Sequence, residues 1–143
     1  MIFCTLGNDS HRFARFEKIV ENLANNLSQN ETIIFQHGYS NPVIKKNITN
    51  YRFIDPTTFK KHLEQASSVY SHGGAGTLLR CAELQIVPYV LSRQNVFGEH
   101  INDHQKEIVN QFYEMGLIFD LSKNDQNQIR QKIDFSEKNT LVA

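Results

Sequence analysis

Three glycines within four positions make the run Ser71-His72-Gly73-Gly74-Ala75-Gly76-Thr77 the stretch of this sequence best suited to chemistry. The run follows a short apolar segment and precedes an amphipathic one, which is typical of a strand that turns directly into a helix. Glycine lets a ligand come close to the backbone, and the free N–H groups at the start of a helix attract anions. A diphosphate would suit this turn, and Thr77 would place a hydroxyl beside it. The alternative is a tight turn that binds nothing.

The rest of the sequence predicts the elements that would position this turn. Short apolar segments predict six strands, near residues 2–6, 32–36, 51–54, 69–71, 87–91 and 117–119. Residues 47–50 have the composition of a loop. Apolar residues at spacings of three and four predict helices near residues 13–27, 57–65 and 101–115, and another from the glycine turn to about Leu84. A last helix is expected at residues 125–133 and a tail at residues 135–143.

Several residues are placed where helices begin and end. Asp55 precedes a proline and is expected to cap the second helix, while Asp9 or Ser10 is expected to cap the first. Gly116 is placed to follow the last residue of the helix at 101–115.

Two helices show an apolar stripe that should face the sheet. After the glycine turn this stripe consists of Leu78, Leu79 and Ala82. In the helix at 101–115 it runs from Ile101 to Met115.

Strands that alternate with helices through short loops predict the fold class, an α/β protein. We expect one Rossmann-like domain over residues 1–134, a six-stranded parallel sheet with helices on both faces. Ligands of such domains bind at the carboxyl ends of the strands. The turns at residues 7–8, 36–38, 72–77 and 92–105 should therefore open on the same edge.

Composition narrows the classes of partner. The chain has 143 residues, which suits one domain, and its 15 basic and 15 acidic residues are scattered, so nucleic acid is not an expected partner. Neither a membrane-spanning run nor a signal peptide is recognisable, which favours a cytoplasmic location. Cys4 and Cys81 stand in apolar surroundings and are expected to be buried, reduced thiols.

Other ligand classes find little support. The glycines follow the fourth strand instead of the first, which weakens a dinucleotide site, and no lysine follows them as in a P-loop. His100 and His104 have helical spacing, but no HExxH pattern or cysteine cluster accompanies them, so no metal is expected. A G-x-S-x-G nucleophile motif is absent from the sequence.

Further motifs stand in order over residues 1–120: Met1-Ile2-Phe3-Cys4-Thr5-Leu6-Gly7, Gln36-His37-Gly38-Tyr39-Ser40, Phe53-Ile54, Glu99-His100-Ile101-Asn102-Asp103-His104-Gln105, and Glu114-Met115-Gly116-Leu117-Ile118. Together with the glycine run they resemble the donor-binding, C-terminal half of GT-B glycosyltransferases. The resemblance is strongest to the small soluble subunits of split family 28 enzymes. These include accessory subunits of bacterial capsular and exopolysaccharide glycosyltransferases and the soluble subunit of the dolichol-linked N-acetylglucosamine transferase.

The resemblance implies a nucleotide-sugar donor, UDP-linked, bound without a metal or other cofactor. The donor-binding residues it implies are Gly7, Asn8, His37, Phe53, Ile54, His72, Gly73, Gly74, Ala75, Gly76, Thr77, Asp103, His104 and Gln105.

Different parts of this set would contact different parts of the donor. Residues 74–77 would hold the diphosphate, with residues 7–8 on the floor of the cleft, and residues 103–105 would reach the sugar or the phosphate. Phe53 and Ile54 would lie against the uracil, although core packing explains them equally well. His37 is alternatively a turn residue, and capping of a helix by Asn102 or Asp103 is compatible with ligand contact.

Two positions depart from the family pattern. Arg80, with Glu83 one turn later, stands where relatives often carry the acidic residue that binds the ribose. Asn8-Asp9 stands where related subunits carry Thr-His.

The resemblance also implies that no catalytic residue lies on this chain. The acceptor site and the base would belong to a membrane-associated partner subunit that recruits the chain to the inner face of the membrane. Together the two would form an inverting hexosyltransferase that acts on a lipid-linked saccharide in capsular or exopolysaccharide synthesis. The alternative is a non-catalytic regulatory or binding module that keeps the fold without the donor.

Overall fold

The computed structural model describes residues 1–123, so the helix and the tail predicted beyond residue 124 lie outside the described part. Its strands are β1 (Ile2–Thr5), β2 (Ile33–Gln36), β3 (Ile48–Tyr51), β4 (Ser68–His72), β5 (Tyr89–Leu91) and β6 (Phe119–Asp120). Its helices are α1 (Ala14–Asn26), α2 (Pro56–Gln65), α3 (Ala75–Glu83) and α4 (His104–Glu114), with a single 3-10 turn at Asn95–Phe97.

The six strands form one parallel sheet in the order β3-β2-β1-β4-β5-β6. Ile2 of β1 is paired with Ile33 of β2 on one side and with Ser68 of β4 on the other. The chain thus winds outward from β1 in one direction and from β4 in the other. This Rossmann-like order confirms the predicted fold class, and it puts a topological switch point between β1 and β4, where such folds open a crevice for ligands.

Side chains that alternate along β1 divide the core between two faces. Ile2 and Cys4 face α1. Phe3 faces the other side and packs with Leu63 of α2 and Cys81 of α3. Because strands covered on both faces bury every side chain, this central strand reads in the sequence as a continuous apolar run.

Both cysteines are buried and unpaired, as predicted. Burial raises the pKa of Cys81 to about 12 and raises the pKa of Cys4 as well. These thiols stay protonated and behave as small apolar side chains.

The third strand lies earlier than predicted. It spans Ile48–Tyr51, so the expected loop at residues 47–50 and the expected strand at residues 51–54 were both wrong. Ile48 supplies the buried contact, whereas Thr49 is exposed because β3 is at the edge of the sheet. Asn50 donates to the carbonyl of Val43 at 2.9 Å and accepts from its N–H at 3.1 Å. Because Thr49 and Asn50 are polar, β3 does not stand out in the sequence as an apolar run.

The bracing role of Asn50 gives a testable expectation. Asn50→Ala should lower the free energy of unfolding by about 1 to 2 kcal/mol, because two partly buried hydrogen bonds to the backbone are lost. Thr49→Ala is the matched control on the exposed face of the same strand. Urea denaturation measures both variants, and equal losses for the two would contradict the assigned role.

The helix starts confirm one predicted cap and correct another. Asp55 caps α2 by accepting from the N–H of Thr58 at 3.0 Å. The first helix begins only at Ala14, with Phe13 as its N-cap and no side-chain cap, so the predicted caps Asp9 and Ser10 were wrong. The carboxylate of Asp9 instead accepts from the N–H of residue 11 at 2.8 Å.

Apolar stripes of α3 and α4 are narrower than predicted. Leu78 of α3 packs with Val109 of α4, but Leu79 is exposed. The fourth helix begins at His104 instead of residue 101. Ile101 and Met115, the two ends of the predicted stripe, are therefore exposed.

The turn after α4 follows the prediction. Gly116 has φ of +73°, the left-handed conformation expected just after the last helical residues.

No helix within residues 1–123 combines the length and the apolar character that a membrane span requires.

Candidate functional site

The loops after β1, β2 and β4 meet at the switch point. Gly7 has φ of +62°, and a β-carbon there would lie 2.6 Å from Nε2 of His72. Gly38 has φ of +55°, and a β-carbon there would lie 2.6 Å from the carbonyl oxygen of Gly7. Glycine at both positions lets the backbones of the first two turns touch and lets the His72 side chain, at the end of β4, lie against Gly7. Turns predicted to share one edge of the sheet are thus in direct contact.

The glycine turn ends in an open helix N-terminus. Gly74 is the N-cap of α3 and provides no side chain, and its carbonyl accepts the first helical bond, from the N–H of Leu78 at 3.1 Å. The N–H groups of residues 75–77 precede that bond and have no protein partner within residues 1–123. A β-carbon at Gly76 would meet no atom within 4 Å. Three backbone donors at the positive end of a helix dipole are therefore left without a partner within residues 1–123, as an anion site requires.

The glycines of this turn are not required by backbone conformation, since φ is not positive at residues 73, 74 or 76. At residues 73 and 74 they are required because neighbouring side chains lie close to the backbone. A β-carbon at Gly73 would lie 2.6 Å from Cγ2 of Val109 and 2.8 Å from Cγ of Gln105. A β-carbon at Gly74 would lie 2.6 Å from Cε1 of His72. The first two glycines fit the turn onto the domain, whereas Gly76 leaves its outer surface clear.

Two predicted donor-binding residues lie beneath the turn. His72 is 6% exposed, and its Nδ1 lies 3.5 Å from Nε2 of Gln105. The carboxamide oxygen of Gln105 accepts from the N–H of Arg93 at 3.0 Å. Burial, with the nearby charge of Arg93, lowers the pKa of His72 to about 3, so its ring is neutral. The geometry makes His72 and Gln105 supports of the turn.

Asp103 and His104 are exposed on the same edge. The carboxylate of Asp103 accepts from the N–H of Asn95 at 3.0 Å, and the carbonyl oxygen of the Asn102 side chain accepts from the N–H of His104 at 2.9 Å. His104 Nδ1 lies 3.5 Å from Glu107. These bonds hold both residues at the start of α4, where both are exposed.

Three other predicted donor-binding residues, Ile54, Phe53 and His37, have different surroundings. Ile54 packs against the core cluster of α2 and α3, which supports its alternative interpretation. Phe53 is half exposed, with its ring 5.5 Å from that of Tyr39 and the Arg52 guanidinium above both rings. His37 Nδ1 lies 3.0 Å from the carbonyl oxygen of Ser40, so His37 is tied into its own turn.

Of the positions that depart from the family pattern, Asn8, Arg80 and Glu83 lie on the surface. Asn8 is exposed beside Gly7. Arg80 contacts Glu83 at 3.3 Å on the outer face of α3.

An ion pair that joins distant parts of the chain was missed from the sequence. Arg15 donates to the carboxylate of Glu99 from Nε at 2.8 Å and from Nη2 at 2.7 Å. Glu99 is buried. Such bidentate pairs are among the stronger charge-assisted contacts. The pair fixes the loop at residues 92–103 to the start of α1. Because 84 positions separate the partners, no local spacing in the sequence could reveal it.

Asp9 joins the same two segments through a second cluster. Its carboxylate lies 2.8 Å from Nδ1 of His11, 3.2 Å from Nε2 of His100 and 3.7 Å from Nη1 of Arg93. Burial raises the pKa of Asp9, but the hydrogen bonds from His11 and the charges of Arg93 and His100 outweigh it and lower the pKa overall. Arg93 is 1% exposed and donates to the carbonyl of His11 at 2.7 Å.

Comparison with known proteins decides the family. The family model for the glycosyltransferase family 28 C-terminal domain matches residues 1–141. The chain belongs to this family. No curated protein matches the chain.

Solved glycosyltransferases share the fold of this family 28 domain. The glycotransferase of kitacinnamycin superposes with a TM-score of 0.60 at 16% identity, covering 96% of this chain and 34% of that one. The glycosyltransferase SnogD from Streptomyces nogalater superposes with a TM-score of 0.56 at 16% identity, covering 95% of this chain and 39% of that one. The chain therefore spans well under half the length of either structure.

Proposed function

We propose that this family 28 domain binds a UDP-linked sugar and forms the donor half of a two-component inverting glycosyltransferase. The observation that carries the proposal is the N-terminus of α3 at the switch point, where the N–H groups of residues 75–77 have no partner in the described part of the chain. A diphosphate is the part of such a donor that this arrangement fits.

The site would act on the leaving group. In glycosyl transfer the bond from the anomeric carbon to the diphosphate breaks as the acceptor oxygen attacks, and negative charge grows on the diphosphate. Backbone donors fixed at a helix N-terminus stabilise that charge without a metal. The Thr77 hydroxyl, in the first turn, would add a further donor. His72 would keep the turn in shape as a neutral ring, since its pKa is about 3.

The surroundings suit the rest of the donor. The exposed ring of Phe53 would lie along the uracil, while Asp103 and His104 would reach the sugar. The three N–H groups and these side chains follow different strands of one parallel sheet, and their loops open on its carboxyl edge.

The acceptor site and the base are assigned to a partner. The chain spans 34% and 39% of the two superposed glycosyltransferases, so most of each structure has no counterpart in it. The proposed partner is a membrane-associated subunit that binds a lipid-linked saccharide and holds this domain at the cytoplasmic face of the membrane. The proposed product is a hexosylated lipid-linked intermediate of capsular or exopolysaccharide synthesis.

Two measurements test the proposal. Calorimetry of the purified chain should detect weak binding of UDP and UDP-hexoses. A transfer assay with labelled UDP-hexoses should give no product with the chain alone and product when membranes that contain the partner are added. Robust transfer by the chain alone would contradict the two-component mechanism.

A non-catalytic module is the second candidate, and Arg80 favours it. The residue pairs with Glu83 on α3 and puts a cation where relatives often place the ribose-binding acid. This candidate predicts no heat of binding with millimolar UDP, which distinguishes it from the donor-binding proposal.

A further inference from the structure

Three large apolar side chains are exposed together on the loop that joins β5 to α4. Val96 is 78% exposed, Phe97 56% and Ile101 74%. We call these three residues the apolar loop patch. Exposed apolar residues that occur singly are normal, whereas three within six positions of one loop favour an interaction surface.

The loop is held in shape by buried charge. Glu99, between Phe97 and Ile101, receives both bonds from Arg15 and a third from the N–H of Gln94 at 3.1 Å. Arg93 lies beneath and donates to the carbonyl of Glu99 at 3.2 Å. A surface that is fixed before binding loses little conformational entropy when it docks. The ionic frame therefore presents the patch in one geometry.

The frame also ties the patch to the candidate site. The guanidinium of Arg15 lies 4.3 Å from the centre of the Phe97 ring, which fixes the ring from below. At the other end, the N–H of Asn95 is bonded to Asp103, one of the residues expected to reach the sugar. A contact made by the patch would thus be made beside the donor.

We propose that the apolar loop patch is the surface on which the acceptor-binding half of the transferase docks. This inference rests on the proposed function. The superposed glycosyltransferases have more than half of their length outside the part that this chain covers, and a protein equivalent to that remaining part is the proposed occupant. Docking at the patch would bring its acceptor to the sugar end of the donor and exclude water there.

The charges of the loop favour a protein over a lipid surface. Attraction to anionic headgroups needs exposed lysines or arginines. The one lysine or arginine between Ser92 and Asp103 is Arg93, which is 1% exposed, and Arg15 beside the patch is already paired with Glu99. An apolar cleft with few charges is the complementary surface expected on the partner.

Photocrosslinking in the cells that produce the chain tests this assignment. A benzoyl-phenylalanine replaces Phe97, and the same residue replaces Ile44, which is 81% exposed and belongs to a different loop, the one after β2. The Phe97 probe should give a product that mass spectrometry identifies as a protein with the acceptor-binding half of a GT-B glycosyltransferase. Crosslinks to lipid, to a second copy of this chain or to nothing would overturn the proposal, as would equal products from the Ile44 probe.

Charge substitutions separate docking from donor binding. Val96→Asp combined with Ile101→Asp should leave the Kd for UDP of the purified chain within twofold, yet lower transfer in partner-containing membranes at least tenfold. Ile44→Asp should change neither quantity. Unchanged transfer by the double variant would refute the docking proposal and leave the proposed function standing. A wild-type chain that binds no UDP would refute the proposed function.

Discussion

Gly76→Val is expected to weaken UDP binding at least about 100-fold, a loss of about 2.7 kcal/mol, while the chain remains folded. A β-carbon at residue 76 meets no atom within 4 Å apart from its chain neighbours and the backbone of its own helix, so the valine fits the domain. It would project among the N–H groups of residues 75–77, where the diphosphate is proposed to lie. Charge-assisted hydrogen bonds contribute about 1.5 to 3 kcal/mol each, so the loss of two would account for the effect.

Gly73→Ala is the contrasting control. Its β-carbon would lie 2.6 Å from Val109 and 2.8 Å from Gln105, so neighbouring groups must shift at a cost of about 1 to 3 kcal/mol of stability. Calorimetry should therefore show the loss of UDP affinity predicted for Gly76→Val, and thermal unfolding should show the loss of stability predicted for Gly73→Ala. UDP binding that survives in folded Gly76→Val would place the diphosphate elsewhere.

His72 should make the domain lose stability as the pH falls below 6.5. Burial lowers its pKa in the folded chain to about 3, while the unfolded chain keeps a value near 6.5. Between these values the unfolded state binds a proton that the folded state does not, so the free energy of unfolding decreases with falling pH. The decrease approaches about 1.4 kcal/mol per pH unit.

His72→Gln isolates this contribution. Glutamine cannot take up the proton but can keep a polar contact with Gln105. Urea denaturation at pH 6.5 and 4.5 should show that the wild type loses about 2 to 3 kcal/mol more than the variant, since all other groups titrate in both proteins. Parallel pH dependences would show that the ring is not held neutral.

The parts of the fold that local sequence determines were predictable. Continuous apolar runs correctly predicted β1 and β2, and Asp55 before Pro56 correctly predicted the start of α2. The glycine turn after β4 also follows from local composition.

The location of the glycine turn at the switch point does not follow from local composition. Strand order depends on long-range pairing, and the order found here puts β1 beside β4, so a turn after the fourth strand lies where a ligand crevice opens.

Errors arose where tertiary contacts override local pattern. Ile101 continues the apolar spacing of α4, yet the helix starts only at His104, after a turn that ties Asn95 to the Asp103 carboxylate. The polar residues of β3 hide an edge strand. The buried bond between Arg15 and Glu99 joins residues that are 84 positions apart, and its partners look like ordinary surface charges in the sequence.

The central claim is that the open N-terminus of α3 seats the diphosphate of a UDP-linked donor. Titration of the isotope-labelled chain with UDP, followed through the backbone amide resonances, tests it most directly. The account predicts that Gly74, Ala75, Gly76 and Thr77 shift progressively and to saturation, with smaller changes at Gly7. An absence of shifts at these amides with millimolar UDP, or saturable shifts confined to another face of the domain, would contradict it.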